Sequence, residues 1–252
     1  MANTVKTKSK LKENKNKMLL SSIFSLIFAI MFLIATLVVA FYIIFNKSDI
    51  SPFVALVLFI VSLILFGFFA YSKKQYSILR SGVKGENRTY RILNNLSENF
   101  TLLSNPMLYS RGRKAELDFV VIGSDAIFII ESKNHKGILR GSCEDNEWTQ
   151  IKERGEKTYT KTIKNPLKQS LKQVKMFTDC LTDSGISAAV FPVVYFADSD
   201  VSIESDWDAS NMIRVIKDEK ELISYIVNTK GNIAIDENAK QKIIDLLTNQ
   251  ES

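Results

Sequence analysis

Two carboxylates and one ammonium stand where a short hairpin would bring them together. Asp118 lies at the start of one apolar run, and Glu131 and Lys133 lie at the end of the next, in Ile130-Glu131-Ser132-Lys133-Asn134. Alternate residues of a strand share a face, so Asp118, Val120 and Ile122 form one row and Ile127, Ile129, Glu131 and Lys133 another. A turn centred between Ser124 and Asp125 sets Ile122 opposite Ile127, Val120 opposite Ile129, Asp118 opposite Glu131 and Glu116 opposite Lys133. Facing carboxylates repel, and a divalent cation between them relieves the repulsion. Mg²⁺ (or Mn²⁺) bound by carboxylate oxygens and water is the expected ion. A metal centre of this kind, with a lysine beside it, can activate water and neutralise charge at a phosphodiester. A plainer reading stays open, in which Lys133 pairs with Glu116 across the strands and Asp118 and Glu131 sit at wet strand ends.

A third carboxylate comes from the helix expected over 82–96. Val83, Glu86, Tyr90 and Leu93 fall in one stripe at about 100° per residue, which turns Glu86 toward an apolar face. A carboxylate so placed is rarely left without a partner. A salt bridge, or a rim position favoured by the helix dipole, would explain it equally well.

The quoted segments, with four blocks in this order and spacing, resemble the nuclease-related domain, NERD, a branch of the PD-(D/E)xK nuclease-like fold. The blocks are Gly85-Glu86, Glu116-Leu117-Asp118-Phe119-Val120-Val121-Ile122-Gly123, Phe128 to Asn134 with Gly137, and Asn165-Pro166-Leu167 with Gln169. The resemblance covers about 81–181 and more loosely extends to 196. It implies a restriction-endonuclease-like mixed β-sheet flanked by helices. It implies Asp118, Glu131 and Glu86 as metal ligands, Lys133 as the charge that orients water or neutralises the transition state, and Gln169 as a flanking helical position. Leu117 departs from the proline of the superfamily motif, and Gln173 stands where some relatives carry a tyrosine.

The elements that must hold these residues read as α/β. After the helix over 82–96 come a strand at 101–108, a hairpin of 115–122 and 126–133, a short strand at 138–141 and a second hairpin around Arg154-Gly155-Glu156. A helix begins at Pro166, N-capped by Asn165, and runs to about Leu181. Strands at 189–196 and 213–216 and helices at about 219–228 and 236–248 complete the domain. On the Pro166 helix Leu167, Leu171, Val174 and Leu181 form the core stripe. Lys168, Lys172 and Lys175 form a second row, read as a solvated face that could contact phosphates at the rim but does not point into the metal site, and Gln169, Gln173 and Met176 form a third. Trp148 and Tyr159, near basic residues in the second hairpin, read as sheet packing, with base stacking the alternative, and His135 is assigned no role.

The first 71 residues differ from the rest. Neither 18–45 nor 53–71 contains a charged residue. With Pro52, also in the second charge-free run, the two reach about 42 and 30 Å at 1.5 Å per residue, enough to cross a hydrocarbon core of about 30 Å. Residues 1–17 carry six lysines against one glutamate, Lys73, Lys74, Arg80 and Lys84 follow the second run, and the turn between the runs holds only Lys47 and Asp49. By the positive-inside rule both ends face the cytoplasm. The expected organisation is a basic tail (1–17), two transmembrane helices (within 18–71), a linker (72–81) and a nuclease-like cytoplasmic domain (82–252).

Of the net +6, the tail supplies +5, so the high pI reports membrane orientation more than affinity for a polyanion. Cys143 and Cys180 show no zinc spacing, and a single histidine, His135, excludes Ser-His-Asp chemistry and two-histidine metal sites. The expected protein is a multi-pass, membrane-anchored Mg²⁺-dependent nuclease acting on nucleic acid, DNA more than RNA, with no protein partner indicated. The alternative is a non-catalytic nuclease-fold adaptor that binds nucleic acid or a protein at the membrane, which the near-neutral charge of the soluble part favours.

Overall fold

The computed structural model describes residues 1–46, 50–204 and 213–248, apart from the side chains at 46 and 154. The expected turn with Lys47 and Asp49 lies outside the described residues. The chain divides into two units, residues 9–83 and residues 1–8 with 84–252.

The first unit is built from α1 (Lys10–Asn46) and α2 (Pro52–Leu93), of which the residues through Val83 belong here. Both are long and apolar enough to cross a membrane. They pack together, with the buried Ser62 hydroxyl donating to the Ala29 carbonyl at 3.0 Å. Phe24, Leu37, Phe41, Phe53 and Ile64 are exposed along them, an apolar exterior far larger than water-facing surfaces carry. Residues 72–81, read as a linker, are helical throughout. That stretch contains neither proline nor glycine, so nothing in it stops α2.

The second unit is a mixed α/β domain. Its main sheet has six strands in the order β1 (Asn3–Lys6), β2 (Thr101–Ser104), β5 (Phe119–Ile122), β6 (Ala126–Lys133), β10 (Ala189–Phe196) and β12 (Arg214–Ile216). β6 pairs antiparallel with β5 and parallel with β10. The side chains of Phe119, Val121, Phe128 and Ile130 pack with the end of α2 and with α4 (Glu219–Asn228). Those of Val120, Ile122, Ile127 and Ile129 pack on the other face with α3 (Pro166–Asp183) and α5 (Glu237–Thr248). A second sheet, β11 (Val201–Glu204), β7 (Gly137–Arg140), β8 (Glu147–Arg154) and β9 (Lys157–Lys164), joins the main one through Trp148, Ile163, Leu167 and Phe196.

Three differences from the sequence reading stand out. The tail is not merely a charged arm, because Asn3–Lys6 adds a parallel edge strand to β2 and buries Ala2. The expected strand 101–108 is bent into β2 and β3 (Met107–Ser110), and its partner into β4 (Arg113–Glu116) and β5. Asn105 adopts φ +58°, and Pro106 has no N–H to give. The pairing nevertheless keeps one register through the bend: Ser104 faces Phe119, Met107 faces Glu116, and Asn105 N–H donates to the Asp118 carbonyl at 2.9 Å. β11, a strand the periodicity did not suggest, pairs parallel with β7.

Candidate active site

The β5–β6 register agrees with the expected one, with Ile122 opposite Ile127 and Val120 opposite Ile129. Asp118 falls one residue beyond the ladder, at the bend, and Glu131 and Lys133 follow Ile129 on the α3-covered face. The further pairing of Lys133 with Glu116 does not form. The ladder stops at Phe119, and Glu116 has turned away into β4 opposite Met107.

Lys133 turns back on its own strand instead. Its ammonium lies 2.5 Å from Glu131 Oε1 and donates to Gln169 Oε1 at 3.0 Å. Gln169 Nε2 donates to the same Glu131 oxygen at 2.6 Å, and Gln173 Nε2 donates to Oε2 at 2.8 Å. Glu131 is 2 % exposed, so these three donors replace the water it has lost. Gln169 and Gln173 are one helical turn apart on α3 and therefore on one side of it. The sequence places Gln169 in the site and Gln173 one turn on in the same row of the helix, without a role of its own; the structure brings both amides to Glu131. The Gln173 Oε1 atom is buried without a hydrogen-bond partner among the described residues.

Asp118 is half-buried. Its Oδ2 accepts the Ser132 N–H at 2.8 Å, and Oδ1 has no hydrogen-bond partner among the described residues. Burial pushes the carboxyl well above the ordinary carboxylate range, and the charges of Glu131 and Glu86 push the same way against the pull of Lys133 and the Ser132 amide. For Lys133, burial works against the charge, but the carboxylates of Glu131 and Asp118 more than offset it and raise its pKa. Glu86 approaches from α2, which covers the opposite face of the sheet, and it acts on Asp118 through its charge. A close fit brings the helix there: a Cβ on Gly85 would come within 2.6 Å of Asn134 Cβ. One turn on, the Thr89 and Ser132 hydroxyls lie 2.7 Å apart.

Among the described residues no three His, Cys, Asp or Glu groups converge closely enough to hold an ion. The oxygen donors the site offers are the carboxylates of Asp118 and Glu131, and the oxygens of Glu131 already accept from three side chains. Mg²⁺ commonly takes only one or two carboxylates and keeps several waters, and the disfavoured charge of Asp118 is what a cation would relieve.

His135, which carries no expected role, is half-buried beyond Lys133 and shares a hydrogen bond with the Gln150 side chain. Burial, reinforced by the charges of Lys133, Lys161 and Lys152, lowers its pKa to about 4. Asn165 does more than cap α3. Its Oδ1 accepts from Leu167 and Lys168 N–H, and its Nδ2 donates to the carbonyls of Ser142, Cys143 and Asp145, fixing the loop beside the helix start.

A mixed sheet covered by helices, with an acidic pair and a lysine at the end of its central hairpin, defines a nuclease-like α/β domain. Residues 81–197 match the nuclease-related domain family, and this part of the chain is a nuclease-related domain, NERD. The chain is also similar to an uncharacterized protein of Bacillus anthracis (pXO1-01), 26 % identical over 189 residues that cover 67 % of this chain and 84 % of that protein. No solved structure matches it significantly.

Proposed function

We propose that the protein is a membrane-anchored, Mg²⁺- or Mn²⁺-dependent nuclease that hydrolyses phosphodiester bonds of nucleic acid, DNA more than RNA, on the cytoplasmic face. The observation that carries this reading is the convergence of Asp118, Glu131 and Lys133 on one sheet face within a nuclease-related domain. Asp118 and Glu131 would hold the cation, with Glu86 adding negative charge behind them. The cation, when bound, supplies Lewis acidity and a water of lowered pKa.

The remaining work falls to the chain itself. Lys133 keeps its proton at Nζ and so serves as a fixed positive charge for the phosphoryl oxygens rather than as a base. Gln169 touches both Lys133 and Glu131 and sets their separation. The apolar exteriors of α1 and α2 support two membrane spans. The pairing of β1 into the domain's sheet supports a topology with the N-terminus and the domain on one side of the membrane, and the flanking lysines favour the cytoplasm as that side.

One observation favours the alternative, a non-catalytic adaptor: the Glu131 carboxylate already accepts from Lys133, Gln169 and Gln173, as in a structural ion-pair network. The full-length chain in detergent, incubated with single- and double-stranded DNA and RNA plus Mg²⁺, Mn²⁺ or EDTA, separates the two. Metal-dependent cutting that disappears in Asp118→Asn and in Lys133→Met supports the enzyme. Binding without cutting, unchanged in both variants, supports the adaptor.

A further inference from the structure

A groove of about 980 Å³ opens beside the carboxylate site. α3 forms one wall, the β3–β4 ribbon the other, and the base of the β8–β9 hairpin closes one end. Six cationic side chains line it (Arg113, Lys114, Lys164, Lys168, Lys172 and Lys175) against two acids, Glu116 and Glu147. The lysine row of α3, read from the sequence as a solvated face able to meet phosphates at the rim, is part of this groove. Two of the six are engaged: Arg113 lies 3.7 Å from Asp179, and Lys168 donates to the Glu144 carbonyl and to Asn146 Oδ1. Lys114, Lys164, Lys172 and Lys175 are exposed and have no ion-pair partner among the described residues.

Four uncompensated cations around one concavity repel one another and focus a positive potential into it. The groove also leads to the site. Gln169 and Gln173 line it, and the same two side chains donate to Glu131. Its walls are held in place, since Asn165 ties the 142–145 loop to the start of α3. The lining offers no exposed large apolar side chain of the kind that membrane-docking surfaces insert. Its charge, shape and amide-bearing lining match a phosphate backbone.

We propose that this groove carries the sugar–phosphate backbone of a nucleic-acid strand to the Asp118–Glu131–Lys133 site, an assignment that rests on the nuclease reading of that site. The net charge of the domain understates its affinity for nucleic acid, because the cations are concentrated here.

The test uses the full-length chain in neutral-lipid nanodiscs, with EDTA present so that binding is read apart from cutting. Anisotropy of fluorescein-labelled single-stranded and duplex oligonucleotides is followed from 50 to 200 mM salt. The triple variant Lys164→Gln, Lys172→Gln, Lys175→Gln should bind at least tenfold more weakly. Its log–log salt slope should be shallower by about 2–3, since each phosphate left without its lysine takes roughly 0.7–0.9 from the slope. A control triple away from the groove, Lys217→Gln, Lys220→Gln, Lys242→Gln, should bind as the parent does. An unchanged slope and affinity in the groove variant overturns the proposal even if Mg²⁺-dependent cutting is present, as does a parent chain that binds no oligonucleotide at 50 mM salt. Loss of binding to anionic phosphatidylglycerol vesicles with oligonucleotide binding intact also overturns it and makes the groove a lipid-docking surface. Groove-dependent binding without cutting in Mg²⁺ or Mn²⁺ upholds the groove and defeats the nuclease reading instead.

Discussion

The Lys133 ammonium lies 2.5 Å from the Glu131 carboxylate, two residues back along the same strand, with the carboxylate side chain 3 % and the lysine 19 % exposed. Removing one partner of a fully buried pair costs about 3–5 kcal/mol. Lys133 keeps some contact with water and Glu131 keeps two amide donors, so Lys133→Met should cost less, about 2 kcal/mol. Urea denaturation followed by Trp148 fluorescence measures it. Adding Glu131→Gln should recover most of the loss, because the double variant no longer strands the Glu131 charge and also removes its repulsion of Asp118. No recovery would show that Lys133 stabilises the domain by some route other than this pair.

Asn165 is 1 % exposed and joins five backbone groups, two N–H and three C=O. An ordinary N-cap substitution costs about 1 kcal/mol. Asn165→Ala also leaves three loop carbonyls without their donor, and it should cost about 2–4 kcal/mol. Asn165→Asp keeps the acceptor and loses the donor, so it should fall short of the parent as well. If Asn165→Asp equals the parent in thermal melting, the loop bonds contribute nothing.

The hairpin that carries the acidic pair was legible because two continuous apolar runs, Phe119–Ile122 and Ala126–Ile130, are joined by only three residues with turn chemistry, Gly123-Ser124-Asp125. The bend at Asn105–Pro106 had a local signal, since Ser104-Asn105-Pro106 interrupts the apolar run with a turn-favouring dipeptide, but the run turns apolar again beyond it and the partner strand bends in step, so 101–108 read as one strand. For the same reason the imagined Lys133–Glu116 pair failed: a register extends only as far as the strands stay together. Asn3–Lys6 gave no signal because four residues at an edge, three of them polar, are too few to show a period. The lysine row of α3 was placed correctly on the helix, but a helical wheel shows only the angle between rows. It cannot show that β4 and the hairpin base rise opposite and turn a solvated side into the wall of a groove.

His135 supplies the pH dependence. Its pKa is about 4 in the folded chain against an ordinary 6.5, with Lys133, Lys152 and Lys161 acting on it and Gln150 as hydrogen-bond partner. The unfolded chain binds the proton first as pH falls. The stability that depends on neutral His135 is therefore complete above pH 6.5 and drains away between 6.5 and about 4. The full shift corresponds to about 3 kcal/mol, and partial exposure reduces this to about 1–2. The difference in urea midpoint between the parent and His135→Gln should therefore move in favour of the variant as pH drops through that window. A pH-independent difference would mean that His135 titrates normally.

Asp118 gives the metal prediction. Its folded-state carboxyl takes up a proton more readily than in the unfolded chain, because of burial and the neighbouring Glu131. That contribution to stability is present at acid pH and is lost as pH rises through the elevated folded value, so at pH 8 the ionised group costs stability. In EDTA at pH 8, Asp118→Asn should melt higher than the parent. Adding Mg²⁺ should raise the parent, by about 2.7 kcal/mol at one hundred times its Kd, and leave the variant nearly unmoved. Equal shifts in both proteins would place the cation elsewhere.

The N-terminal strand makes a prediction about folding and membrane topology at once. Asn3 N–H donates to the Phe100 carbonyl and Thr7 N–H to that of Ser104, both near 3 Å, while Ala2 is buried and Val5 packs among Leu103 and its neighbours. Deleting residues 2–8 from the full chain exposes that apolar edge and leaves β2 unpaired on one side. A loss of about 3 kcal/mol follows, from one Val-sized burial and a few net hydrogen bonds. The same deletion should loosen the Asn105 corner, because Thr7 Oγ1 donates to the Asn105 carbonyl and Asn105 N–H holds the Asp118 carbonyl. Limited proteolysis should then cut near 105–106 faster in the deletion variant. A chain with an unchanged melting point and cleavage pattern would mean that β1 does not pair in the membrane-bound protein, leaving only the flanking lysines to hold both ends on one side.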